Sequence, residues 1–324
     1  MAEGNQRRYP QSLTGALQMA VDLQGQGQSS DSVEGNPSPQ PSEQMTEERR
    51  KWLNEALCNM VVDEIKEMKE HLDTLADASK EDDDKEFALE ELSNMCDRID
   101  MAKDFQKIGG FEVLPMVLGH ESPEVRWRAA DLLATLVQNN PYCQEAALLK
   151  GFLEVLLKLL DTDEADIVRI KALYALSCLC RDYEPGLESF IKNDGFSYLM
   201  RAMQSGVQKL QLKASFLLQA ICSSTPSCKD ILCDIGMIEQ LIGLLGSEHS
   251  QVHEHLTMAL LTIAKDHPRS VQECQRQEFQ LEALLKERVD AIKGLDECLE
   301  EKEYAEQLLQ MCFNSKIRGQ DLER

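Results

Sequence analysis

The sequence predicts an all-α chain, a helical-repeat solenoid with capping helices, and three observations predict it. The apolar residues lean on Leu, Ala, Ile and Val with 13 Met, against an aromatic share of only 5%. That mix favours helices over sheets. An apolar pattern recurs with a period of about 42 residues, and Gly and Pro fall at fixed places within each period.

Three registers carry the period. Gly followed by a bulky apolar residue recurs at Gly110-Phe111, Gly151-Phe152, Gly195-Phe196 and Gly236-Met237, each opening a short apolar helix pattern. An apolar–x–x–basic start recurs in VRWRAA (125–130), VRIKAL (168–173), LQLKAS (210–215) and VHEHLT (252–257). A proline that should stop the long helix follows at Pro141, Pro185, Pro226 and Pro268. Helices alone, ended by Gly or Pro every forty-odd residues, resemble the armadillo unit.

Taken along the chain, residues 1–44 read as a disordered segment. Residues 24–44 are Gly/Ser/Gln/Pro-rich without periodicity, which cannot bury enough apolar surface to offset chain entropy. A short amphipathic helix is expected over 12–23, with Leu13, Leu17 and Val21 on one face. Residues 45–85 hold N-terminal helices, with a stripe from Trp52 through Leu75, and an acidic connector or helix start at KEDDDK (80–85). Repeats occupy 86–277, four full units from about Gly110 behind a partial leading unit. Residues 278–324 supply capping helices and a tail, which a solenoid needs because its end repeats otherwise expose an apolar face.

Composition narrows the function. The net charge is −23, from 57 acidic against 34 basic residues. An acidic chain repels phosphate backbones, so nucleic acid is not an expected partner. No run approaches the ~18 apolar residues of a membrane span, and no apolar stretch follows the N-terminal arginines as a secretory signal requires. The expected compartment is the cytoplasm, with the nucleus second. The 11 cysteines include no CxxC. Those at apolar helical positions, such as Cys143 and Cys222, read as small core residues in a reducing environment.

No enzyme signature is present: GxxxxGK[ST], GxSxG and GxGxxG are all missing, and no catalytic residue or cofactor is expected. Cys178 and Cys180 lie among apolar residues without the electropositive setting a reactive thiolate needs. His249, His253 and His255 invite a metal reading, since the first two could share a helix face. No fourth ligand stands in register and His255 occupies the basic slot of its repeat, so no metal is expected.

The informative surface is the face of the long helices. Their buried side is Val125/Ala129/Leu132/Leu136 in the first unit and Val168/Ala172/Leu176/Leu179 in the second. The opposite side should line the concave groove with two ladders. One is Arg128, Lys171, Lys213 and His255; the other is Asp131, Tyr174, Phe216 and Met258. Armadillo importers that hold extended basic peptides carry a Trp ladder and an Asn ladder, and neither is here. Basic rungs on an acidic protein suit an acidic folded surface better.

SLTGALQMAV (12–21), MTEERRKWLNEAL (45–57), VRWRAADLLATLVQNNP (125–141), DIVRIKALYALSCLCRD (166–182) and DGFSYLMRAMQSGVQKLQLKASFLLQ (194–219) resemble the heat-shock-70-binding protein family. These are nucleotide-exchange factors for the seventy-kilodalton heat-shock chaperone. The resemblance implies a non-enzymatic monomer whose concave surface embraces the chaperone's ATPase domain and promotes ADP release. It also implies that the N-terminal segment, through Leu13, Leu17 and Val21, helps clear substrate from the chaperone. A ubiquitin ligase assembled on the chaperone is a further implied partner. The family's endoplasmic-reticulum branch has a signal sequence, so this chain is expected in the cytosolic branch. The alternative is an armadillo scaffold that assembles other proteins without touching nucleotide state.

Overall fold

The computed structural model describes residue 51 and residues 64–314. The chain divides into two compact units, residues 1–57 and 58–324. Only Lys51 of the first is described, and residues 64–314 all belong to the second. The expected helix over 12–23, the segment 24–44, Leu13, Leu17, Val21 and the start of the stripe at Trp52 lie outside the described residues.

The described residues are helical, with no strand among them. Helix α1 is described from 64 to 76 and precedes α2 (Asp82–Cys96). Three-helix units then follow. The first is α3 (Ile99–Lys107), α4 (Gly110–Leu118) and α5 (Pro123–Val137). The second is α6 (Pro141–Leu149), α7 (Phe152–Thr162) and α8 (Asp166–Cys180). The third is α9 (Glu184–Lys192), α10 (Gly195–Met203) and α11 (Gln208–Ser224), and the fourth α12 (Cys228–Asp234), α13 (Met237–Leu245) and α14 (Val252–Ala264). Helix α15 (Pro268–Cys274), a 3₁₀ turn at Gln277–Phe279, α16 (Leu281–Ala291), a second 3₁₀ turn at Asp296–Cys298 and α17 (Leu299–Phe313) complete it. The long helices begin at or two residues before the starts expected from Val125, Val168, Leu210 and Val252.

Three local readings change. Asp82, Asp83 and Asp84 form the first turn of α2, where carboxylates complement the helix dipole. The acidic stretch is therefore helix start and not connector, and a boundary at 85/86 cuts a helix. Pro226 follows the end of α11 at Ser224, as expected, but the other three prolines open the next helix. Pro141, Pro185 and Pro268 sit in the first turn of the next short helix, where a missing N–H costs nothing.

The glycine register also splits. Positive φ recurs at Gly109, Gly151, Asp194 and Gly236, just before each middle helix, and this backbone register is more regular than the Gly-Phe one. Gly110 and Gly195 are instead first-turn residues. A Cβ on either would overlap the ring of Phe105 or Phe190. Gln280 takes the same left-handed conformation ahead of α16, so the cap is a degenerate fifth unit on the same plan.

The long helices α2, α5, α8, α11, α14 and α17 pack side by side in that order. Val125, Ala129, Leu132 and Leu136 are buried between layers, as are Val168, Ala172, Leu176 and Leu179. Each such Leu contributes roughly 1.5–3 kcal/mol by leaving water. Polar ties hold the helices of each unit together, and Arg126 also reaches into the next unit. Arg126 donates to the carbonyls of His120 (2.8 Å) and Glu121 (2.7 Å) and forks onto Asp163 of the next unit (2.7 and 2.9 Å). Its counterparts Arg169 and Gln211 donate to the carbonyls of Leu160 and Met203, each at 3.0 Å. Gln144 and Lys229 reach forward to the carbonyls of Cys178 (2.9 Å) and Lys265 (2.7 Å), filling acceptors that helix ends leave open.

Ten of the cysteines are described, and no disulfide joins any two of them. Cys143 and Cys222 are buried, and burial pushes their thiols up to about 11 and about 12. They pack as small apolar residues.

Candidate protein-binding surface

The polar sides of α2, α5, α8, α11 and α14 form one continuous face because those helices stack in sequence. Each unit repeats at nearly the same length, so the same positions line up across it. Arg128, Asp131, Lys171, Tyr174, Lys213, His255 and Met258 are all part-exposed on this face, and Phe216 is 54% exposed. The structure thus brings all eight expected residues to one surface.

It does not leave them as two free rows. Three of the four second-ladder residues are taken up by the first-ladder residue of the following helix. Asp131 accepts from Lys171 Nζ at 2.6 Å. Lys213 Nζ stands 5.7 Å from the Tyr174 ring centroid, within cation–π range. The Phe216 and His255 rings meet at 4.6 Å. One helix earlier the same relation joins Arg128 to Glu86 at 3.2 Å, and Glu124 takes Arg128 as well at 2.7 Å. The seam runs from ion pairs, through cation–π, to an aromatic pair.

This changes the electrostatic expectation. Around Arg128 and Lys171 the carboxylates of Glu86, Glu124 and Asp131 offset both cations. A partner's acid there would compete with an internal carboxylate for a half-buried cation, so the exchange brings little net gain. Lys213 differs: among the described residues no carboxylate pairs with it. It is the ladder cation best placed to meet an acidic group, next to the exposed Phe216 ring. His255 lies 3.7 Å from Glu254, whose carboxyl is pushed up chiefly by burial.

Tyr174 is anchored, its hydroxyl donating to Gln138 Oε1 at 3.2 Å. Burial is the largest cause holding its phenol up at about 12, so it stays neutral and presents a ring. The Cys178 thiol beside it is also pushed up by burial, which leaves it unreactive. Met258 adds a soft apolar contact at the C-terminal end.

Sequence reasoning missed three participants. Trp127 donates its indole N–H to Glu124 at 2.7 Å, with the Arg128 guanidinium 4.3 Å and the Lys171 ammonium 5.5 Å from its ring. Its side chain braces both N-terminal cations. Glu86 supplies the carboxylate for Arg128, and Phe87 beside it is 60% exposed with its ring 6.1 Å from His71. Trp127 was findable, being one of two tryptophans and adjacent to a ladder position. Glu86 and Phe87 were not, because α2 lacks the landmarks of the later units.

Comparison with known proteins places this surface in context. The profile of the SIL1/FES1/HPBP1 C-terminal domain matches residues 101–205, and that of the nucleotide exchange factor Fes1 matches residues 13–105. Hsp70-binding protein 1 of Rattus norvegicus is 42% identical over 322 residues, covering 95% of this chain and 87% of the relative. Hsp70 nucleotide exchange factor FES1 of Mycosarcoma maydis is 30% identical over 167 residues, covering 52% of this chain and 43% of the relative. Among solved structures, the designed armadillo repeat protein YIII(Dq)4CqI matches with a TM-score of 0.59 at 19% identity, covering 75% of this chain and 98% of that one. A similar design in complex with the peptide (KR)4 matches with a TM-score of 0.61 at 19% identity, covering 75% and 98%. These two likenesses establish the armadillo fold and no more.

Proposed function

The chain belongs to the SIL1/FES1/HPBP1 family, and on that premise we propose that it is a nucleotide-exchange factor whose long-helix face holds the ATPase domain of Hsp70. It binds the open form of that domain more tightly than the ADP-closed form. Linkage then requires that ADP be weakened by the same factor. A preference of about 100-fold corresponds to about 2.7 kcal/mol, within what one aromatic-centred interface supplies. The protein makes and breaks no bond. It acts as a monomer, in the cytoplasm and nucleus.

The observation that carries this reading is Lys213, which no carboxylate pairs among the described residues, beside the exposed Phe216 in the middle of a continuous stack of helices. Such a centre offers a cation and a ring without first breaking an internal ion pair. Interfaces concentrate their energy in central aromatic and basic anchors of this kind. The peptide-holding alternative lacks support on the same face, since rings and internal ion pairs stand where backbone-clamping amides would be needed.

Release of labelled ADP from purified Hsp70, with and without the full chain, tests the proposal. Acceleration at substoichiometric amounts of the chain is expected. Unchanged release with demonstrable binding would make the chain a scaffold instead.

A further inference from the structure

The turn between α13 and α14 carries His249, the 3₁₀ turn before α17 carries Cys298, and the first turn of α17 carries Glu301. An imidazole nitrogen of His249, the Cys298 sulfur and a Glu301 carboxylate oxygen all lie within 4.8 Å of one another. His249 Nε2 and Glu301 Oε2 are already 2.9 Å apart. Ligand atoms around a tetrahedral zinc ion are roughly 3.5 Å apart, from bond lengths of about 2.0–2.3 Å. The cluster is therefore within a small side-chain adjustment of a metal site.

A second observation is a buried carboxylate oxygen with an unfilled lone pair. The Glu301 side chain is only 3% exposed, yet its Oε1 has no hydrogen-bond donor. Arg288 Nε stands 3.7 Å away, beyond hydrogen-bond length. A buried carboxylate oxygen left this way is costly. His253, also buried, sits with its ring 5.2 Å from that of His249 and its Nε2 unpartnered. With His253 Nδ1 accepting from the Ser250 N–H at 3.1 Å, its Nε2 carries the proton, and among the described residues the Arg288 guanidinium is the one permanent cation beside Glu301.

We propose that His249, Cys298 and Glu301 bind one divalent transition-metal ion of the zinc class, with water in the fourth position. The donor set decides the class: imidazole and thiolate select zinc-like ions over calcium or magnesium, which take oxygen ligands. A thiolate and a carboxylate match the charge of the dication, and the Arg288 guanidinium, 17% exposed, remains to be solvated. The Cys298 thiol gives its proton to solvent as the sulfur–metal bond forms. His249 stands at the solvent edge, 37% exposed, and leaves room there for the water. The ion would staple the fourth unit to the degenerate cap across a gap of some fifty residues in sequence.

The test uses the full chain, reduced, stripped with a chelator and titrated with Co²⁺ and then Zn²⁺. One equivalent of Co²⁺ should bind with a sulfur-to-metal charge-transfer band and tetrahedral d–d absorption, and Zn²⁺ should displace it and raise Tm. Cys298→Ser should abolish the charge-transfer band. His249→Ala and Glu301→Gln should weaken binding by on the order of 100-fold or more, since even outer-shell changes cost 10–100-fold. His249 is the half-exposed ligand, so its variant should stay folded where Cys298→Ser fails to fold, with a somewhat lower metal-free melt because Glu301 Oε2 loses its 2.9 Å partner. No stoichiometric binding, or unchanged affinity in folded His249→Ala, would overturn the site. So would a charge-transfer band that survives Cys298→Ser.

Discussion

The two halves of the long-helix face solve the same repeat geometry with different chemistry. From α2 to α8 the rungs are ionic: Glu86 to Arg128 at 3.2 Å and Asp131 to Lys171 at 2.6 Å, with Arg126 forked onto Asp163 behind them. From α8 to α14 they are aromatic: Lys213 over Tyr174, and Phe216 against His255. The first half spends its charges on itself and so holds the units in register. The second leaves a cation and an exposed ring available. One repeat plan thus separates a rigid half from a receptive half without any change of backbone.

The largest expected effect lies at the polar ties, Arg126 between two units and Gln211 within one. Arg126 and Asp163 are 16% and 5% exposed, and removing one member strands the other's charge. Arg126→Met should cost about 3 kcal/mol in denaturant melts. Gln211→Met, its counterpart in the receptive half, loses one neutral hydrogen bond and should cost about 1 kcal/mol. Equal losses would mean the halves are held alike.

Next in size is the exposed ring. Phe216→Ala should weaken binding to the Hsp70 ATPase domain by about 2 kcal/mol, roughly thirtyfold, as read by calorimetry. Its melt should stay unchanged, because the ring is mostly in solvent. Smaller again is the Lys171–Asp131 pair. Lys171→Glu should lower stability by about 1 kcal/mol through lost attraction and new repulsion. Adding Asp131→Lys should restore it, since the pair is re-formed with its signs exchanged. Least of all is Lys209, exposed at the start of α11. Lys209→Glu should change binding by less than about 1 kcal/mol.

The same contrast explains what could be read from the sequence. Helix periodicity and punctuation recur, so the all-α repeat fold and the buried faces of α5 and α8 were legible. The eight face residues were legible too, because a long helix has one buried side and therefore one other. Their pairing was not. Whether Lys171 meets Asp131 or solvent depends on the offset between neighbouring helices, which no single unit encodes. Pro141, Pro185 and Pro268 were misread because their position fits both the end of one helix and the first turn of the next, and only the left-handed residue between them separates the two. Around His249 the repeat pattern offers no fourth ligand in register, because Cys298 and Glu301 reach it from the cap, outside the repeat period.

The most direct test of the receptive half compares two proteins in one assay, the release of labelled ADP from Hsp70. One carries Lys213→Glu; the other carries the exchanged pair Asp131→Lys with Lys171→Glu. Lys213→Glu is expected to slow release while the exchanged pair matches the unaltered chain. Normal release with Lys213→Glu, or equal slowing by the exchanged pair, would contradict this and move the partner to another face.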